Sequence, residues 1–113
     1  MKTINLELKD SNYLIKVGEN ILNQEGLKLL EGKEILVVYD NKLPEDSLKV
    51  LKESLPPSLL ALEFVSINAS EENKSLETLS KIHTILIEKK YSRDSVLIGF
   101  GGGIVCDITG FAA

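Results

Sequence analysis

Residues Ser95-Val96-Leu97-Ile98-Gly99-Phe100-Gly101-Gly102-Gly103-Ile104-Val105-Cys106-Asp107-Ile108-Thr109-Gly110-Phe111 decide how the chain is read. The run Val96 to Phe100 is apolar without polar alternation, which predicts a parallel strand buried on both faces. It leads straight into three consecutive glycines. Ile104, Val105, Ile108 and Phe111 then recur at helical spacing, so the pattern is strand, glycine turn, helix. Glycine accepts positive φ and has no Cβ to hold a ligand off the backbone. The start of the following helix offers unpaired N–H groups and the positive end of a dipole, a setting that suits a pyrophosphate. The triplet is not the G-x-G-x-x-G fingerprint, and on spacing alone a plain tight βα turn explains it equally well.

Upstream of this stretch, Ser75 to Lys89 predicts a helix with Leu76, Leu79, Ile82 and Leu86 on one face. Leu60 to Ile67 predicts a strand, and the polar run from Asn68 follows it. Pro44 opens a helix whose stripe is Leu48, Leu51 and Leu55, and Pro56-Pro57 ends it. Lys33 to Tyr39 predicts another buried strand, and Ile21 to Leu30 a short helix closed by Glu31-Gly32. At the start, Ile4, Leu6 and Leu8, then Tyr13, Ile15 and Val17, alternate with polar residues around Asp10-Ser11-Asn12. That is a hairpin pattern. The fold class is therefore α/β: a Rossmann-like parallel sheet with helices on both faces, preceded by an N-terminal β-hairpin.

Ligands of such sheets bind outside the carboxyl ends of the strands. Three loops answer that description: Asp40-Asn41-Lys42, Asn68 to Lys74, and the glycine triplet. Asp40 is placed to accept from ribose hydroxyls, although a turn or N-cap aspartate is the common alternative. Asp107, read as lying in the first turn of the last helix, either complements the dipole or faces a ligand away from its phosphates. His83, the single histidine, reads as a boundary residue of an amphipathic helix. Cys106 reads as a packing substitution, not a nucleophile. One His and one Cys do not make a closed zinc set.

The segment Arg93-Asp94-Ser95 … Gly101-Gly102-Gly103-Ile104-Val105-Cys106-Asp107-Ile108-Thr109-Gly110-Phe111-Ala112-Ala113 closely resembles the nucleotide-binding segment of 3-dehydroquinate synthases. Cys106 stands where that family usually has a fourth glycine. Ser70-Glu71-Glu72-Asn73-Lys74 resembles the family's Gly-Glu-x-x-Lys loop, with Ser70 in the glycine's place. The resemblance implies NAD as cofactor, bound through Asp40, Lys42, Glu71, Lys74, Gly102, Gly103, Ile104 and Asp107. It implies that residues 1–113 are the N-terminal NAD-binding domain of a longer enzyme that converts 3-deoxy-arabino-heptulosonate 7-phosphate to 3-dehydroquinate and phosphate in the shikimate pathway of aromatic amino-acid biosynthesis. In that enzyme, a homodimer by family analogy, zinc or cobalt is held by a C-terminal domain outside this chain. The open-ended helix at Ala113 fits an N-terminal piece, so the chain alone is expected to be inactive. A metal-dependent polyol or glycerol dehydrogenase, another sugar-phosphate cyclase, and a non-catalytic nucleotide-binding module are the alternatives.

Bulk properties narrow the field. The 113 residues are enough for one domain with one core. Thirteen Lys and Arg against 17 Asp and Glu give a net charge of −4, with no long basic block, which argues against nucleic acid as a partner. One cysteine excludes an internal disulfide and fits a reducing compartment. There is no apolar stretch of membrane-spanning length and no signal-peptide pattern at the polar start, so a soluble, cytoplasmic protein is expected; the resemblance implies a small-molecule substrate for the full-length enzyme.

Overall fold

The computed structural model describes residues 2–7, 12–19, 21–23, 27–68 and 76–113. Strands β1 (Lys2–Glu7) and β2 (Asn12–Val17) pair antiparallel, from Lys2↔Val17 to Glu7↔Asn12. This is the expected hairpin, and residues 8–11 between its strands lie outside the described ones. Ile4 and Ile15 face each other across the pair and are each more than a third exposed.

Strands β3 (Glu34–Asp40), β4 (Ala61–Ile67) and β5 (Val96–Phe100) form a parallel sheet in the order β4-β3-β5. Helix α1 (Glu45–Ser54) connects β3 to β4, α2 (Leu76–Glu88) lies between β4 and β5, and α3 (Gly103–Ala112) follows β5. The central strand is covered on both edges and both faces, and Ile35, Leu36, Val37 and Val38 are all 0% exposed. Their alternation divides the core. Leu36 and Val38 join Val65, Ile67, Ile82, Val105, Ile108 and Ala112 beneath α2 and α3. Ile35 and Val37 meet Leu51 of α1, flanked by Phe64 and Ile98. Full burial of such a side chain stabilises by about 1.5–3 kcal/mol, so β3 anchors the domain.

The connections from β3 to β4 and from β4 back past β3 to β5 run in opposite directions across the sheet. Right-handed crossovers then demand helices on opposite faces, as observed for α1 and α2. The N-terminal edge of the sheet is tied by polar contacts. Tyr91 Oη donates to Ile35 O at 2.8 Å, and Glu34 Oε1 accepts from Ser92 N at 2.9 Å and Ser95 Oγ at 3.2 Å. These bonds hold the entry to β5 beside the start of β3, where Ile35 pairs with Val96.

Several expectations need correction. Of the helix expected over Ile21–Leu30, the described residues show a 3-10 turn at Lys28–Leu30, and residues 24–26 lie outside the described ones. Asn23 Nδ2 donates to Ile21 O at 3.2 Å, a local bond that competes with helix formation. Pro44 is the N-cap of α1 and stands just outside its first turn. Leu76 opens α2 and is 82% exposed, so the apolar stripe there begins at Leu79. Phe111 is 79% exposed, because the buried stripe of α3 is Val105, Ile108, Thr109 and Ala112.

Candidate functional site

The site is built where the connections of the sheet diverge, at the carboxyl ends of β3 and β5. In doubly wound sheets this crevice lies between adjacent strands whose following helices take opposite faces. Asp40 is the last residue of β3. Its Oδ1 accepts from Lys42 N at 2.9 Å and its carbonyl from Leu43 N at 3.0 Å, so the carboxylate shapes an Asx turn. Asn41 N donates to Ile67 O at 2.9 Å and extends the β3–β4 ladder. The turn role of Asp40 is thus real, and a carboxylate that accepts one bond retains acceptor capacity for others. Lys42 is exposed beside it.

Across from Asp40, β5 ends at Phe100 and Gly101 turns the chain with φ +155°, a value side chains rarely adopt. A Cβ on Gly101 would lie 3.0 Å from Val105 Cγ2 and 3.4 Å from Asp40 Cβ. A side chain at 101 would therefore crowd Val105 and reach contact with Asp40, so the two strand ends lie side by side. Gly102 is the N-cap of α3 and makes no side-chain cap bond, having no side chain. Cys106 N donates to Gly102 O at 3.1 Å, the first bond of the helix. The N–H groups of the first turn, from Gly103 to Val105, precede that bond and have no intrahelical acceptor. No acidic residue lies in that turn. Cβ atoms at Gly102 and Gly103 would meet nothing within 4 Å.

Ile104 is half-buried against the α2–α3 core, so its side chain secures the turn while its backbone N–H belongs to the exposed rim. Asp107 corrects the sequence reading: it is exposed and lies beyond the first turn of α3, which removes dipole complementation as its explanation. Cys106 is also exposed and does not fill the core as expected; its Sγ lies 4.0 Å from Gly101 O. His83 is exposed, on the solvent side of α2, and its Nε2–H donates to Ala112 O at 3.0 Å, linking α2 to the far end of α3. Glu71, Lys74 and Ser70 lie outside the described residues. Of the expected residues, the structure brings Asp40, Lys42, Gly102, Gly103 and Ile104 to one rim. Sequence reasoning named the triplet that contains Gly101 but passed over Gly99 and Thr109, which meet where α3 lies against β5. The break in an otherwise bulky strand at Gly99 was the available signal.

A dinucleotide fits these residues. The open Cβ positions at Gly102 and Gly103, the bare first turn of α3 and the absence of a carboxylate within it form a surface for a pyrophosphate. A metal has no such support: among the described residues no group of three or more His, Cys, Asp or Glu side chains is arranged to hold one. Among the same residues, no helix is long and apolar enough to cross a membrane.

Fold and site together define a doubly wound α/β domain with a glycine turn at its switch point. Comparison with known proteins gives the family. Residues 64–113 match the family described as 3-dehydroquinate synthase N-terminal. The 3-dehydroquinate synthase of Clostridium kluyveri is 33% identical over 116 residues, covering 100% of this chain and 32% of that protein. The enzyme of the same name from Ruthia magnifica is 36% identical, over 100% of this chain and 32% of its own length. That of Pelagibacter ubique is 34% identical, with 97% and 30% covered. The chain belongs to the 3-dehydroquinate synthase family and spans about a third of the length of these curated relatives. In fold it is similar to 2-deoxy-scyllo-inosose synthase, solved with carbaglucose-6-phosphate, NAD+ and Co2+; the TM-score is 0.81 at 20% identity, over 99% of this chain and 31% of that one.

Proposed function

We propose that this chain forms the NAD-binding N-terminal domain of a 3-dehydroquinate synthase. The observation that carries the reading is the bare N-terminus of α3 behind Gly102 and Gly103, set against Asp40 at the switch point. The names of the relatives and the NAD+ in the solved neighbour support it. In this proposal the first-turn N–H groups of α3 hold the pyrophosphate, and the dipole of the helix favours its charge. Asp40 accepts from the adenosine ribose, and Lys42 supplies a cation at the same rim. Asp107, beyond the phosphate-binding turn, orients the nicotinamide half. Glu71 and Lys74 join from the neighbouring loop.

The chemistry NAD supplies when bound is reversible acceptance of a hydride from a substrate carbinol. The proposed overall reaction is conversion of 3-deoxy-arabino-heptulosonate 7-phosphate to 3-dehydroquinate with release of phosphate. The residues of this chain bind and orient the dinucleotide. Metal ligands, the zinc or cobalt they would hold, and the substrate pocket are assigned to the length by which the relatives exceed this chain. The chain alone is accordingly inactive, and the complete enzyme is a cytoplasmic homodimer. A related dehydrogenase or cyclase would use the same rim, and product analysis of the complete enzyme separates the three.

The test is an NMR titration of the chain with NAD, with Asp107→Ala in parallel. Shifts should cluster at Asp40, Lys42 and Gly101 to Asp107, and the substitution should weaken binding several-fold. A folded chain that shows no shifts there would refute NAD binding at this rim.

A further inference from the structure

Helix α3 rests on β5 at two points one turn apart. At the first, Val105, fully buried, fills the place a side chain on Gly101 would take. At the second, Thr109, only 6% exposed, lies against Gly99: a Cβ there would stand 2.8 Å from Thr109 Oγ1, 3.0 Å from its Cβ and 3.3 Å from its Cγ2. Gly99 does not have a positive φ. Glycine is required there for room, not for backbone freedom.

Thr109 cannot yield cheaply. It is β-branched and stiff at χ1, and its Oγ1 donates to Val105 O at 2.7 Å. That bond also joins the two contact points to each other.

We propose that the Gly99–Thr109 contact sets the height and tilt of α3 on β5, which makes Gly99 and Thr109 positioning residues for the anion-binding turn at Gly102 to Val105. The ligand part of this inference rests on the NAD reading above; the geometric part does not. Thr109 lies about 9 Å along the helix axis from Gly103, at roughly 1.5 Å per residue. An added Cβ at 99 must gain about 0.5–1 Å to reach ordinary carbon–carbon contact. With Val105 seated against Gly101 as a pivot, that displacement rocks α3 and swings its first-turn N–H groups. Binding constellations tolerate only about 0.5 Å of such error.

The experiment compares the full chain with Gly99→Ala, Thr109→Ala and the double variant, all below their melting temperatures. Residual dipolar couplings report the orientation of α3 relative to β3 and β5, and NAD titration reports affinity. Gly99→Ala should reorient α3, shift the amides of Gly102 to Val105 and weaken NAD about tenfold or more. Adding Thr109→Ala should restore most of the orientation and affinity, because it removes two of the three crowding atoms. Should Gly99→Ala fail to fold, Thr109→Val against Thr109→Ser probes the contact from the helix side: the valine should reorient α3 and the serine should not. Loss of stability with unchanged couplings would overturn the proposal, and so would a double variant that leaves α3 displaced. If the wild-type chain binds no NAD, the reading of the site fails while the couplings still decide the seat of α3.

Discussion

The two strand-to-helix junctions at the carboxyl edge of the sheet are built on opposite principles. After β3 the chain closes an Asx turn on Asp40 and enters α1 through Pro44, with Glu45 and Asp46 in the first turn. After β5 it passes through Gly101 and Gly102 into α3, with no capping side chain and no acid in the first turn. The helix dipole of α1 is answered by carboxylates of its own sequence, while that of α3 is left for something else. A helix start that carries its own anions repels a phosphate. One stripped to glycine receives it. In the proposed reading, proximity to the sheet edge does not make a site; local chemistry does.

The largest effect should come from giving the second junction a side chain. Gly101→Val forces a β-branched residue to φ +155° and into Val105. It should cost about 2–4 kcal/mol in urea unfolding, from strain and overpacking together, and abolish NAD binding. A variant as stable as the parent would show that the turn relaxes freely. Stripping the first junction should do much less. Glu45→Gln and Asp46→Asn should each lower stability by about 0.3–1 kcal/mol and leave NAD affinity unchanged. A change in affinity would mean that the two junctions share one ligand.

The opposite edge of the sheet provides a reference with a purely structural role. The Ser92 backbone N–H, with the Ser92 and Ser95 side chains, holds the Glu34 carboxyl below its ordinary value near 4.5. A depressed carboxyl contributes stability above its unfolded value and loses it as pH falls through the folded one. Burial, with the Glu63 and Glu34 carboxylates, raises Tyr91 above 10.0, so its share is present below that pH and lost as pH rises through the folded value. Stability should therefore fall at both ends of the pH range, and Glu34→Gln should remove part of the acid-side slope and, by taking away one carboxylate that raises Tyr91, a smaller part of the alkaline one. An unchanged acid slope in urea midpoints would contradict the clamp.

The strands were readable because a parallel strand in such a sheet carries an unbroken apolar run, and Val96 to Phe100 has one with its bounds intact, although as the edge strand of the sheet it is half-buried and not enclosed on both faces. The glycine turn was readable for the same reason: three glycines leave little else to form. Phe111 and Leu76 are apolar yet exposed, so hydrophobicity at helical spacing does not by itself place a side chain in the core. On α3 the buried stripe instead includes Thr109, whose size suits the close approach at Gly99. Near Ile21 the described residues show Asn23 bonding back to the Ile21 carbonyl, a local bond that periodicity does not encode. The position of Asp107 depended on where α3 begins, and helix starts are set by caps, not by pattern.

Gly102→Asp tests the central claim most directly, because it rewrites the second junction in the manner of the first. Gly102 has φ −81° and ψ −169°, accessible to any residue, and its Cβ would meet nothing within 4 Å. Aspartate there should cap α3 and raise stability by a few tenths to about 1 kcal/mol. The same carboxylate occupies the anion's place. Thermal melting and NAD calorimetry on one sample should give a melting temperature equal or higher and an affinity at least tenfold lower. An unchanged affinity at unchanged stability would mean that the bare end of α3 is not where the dinucleotide binds.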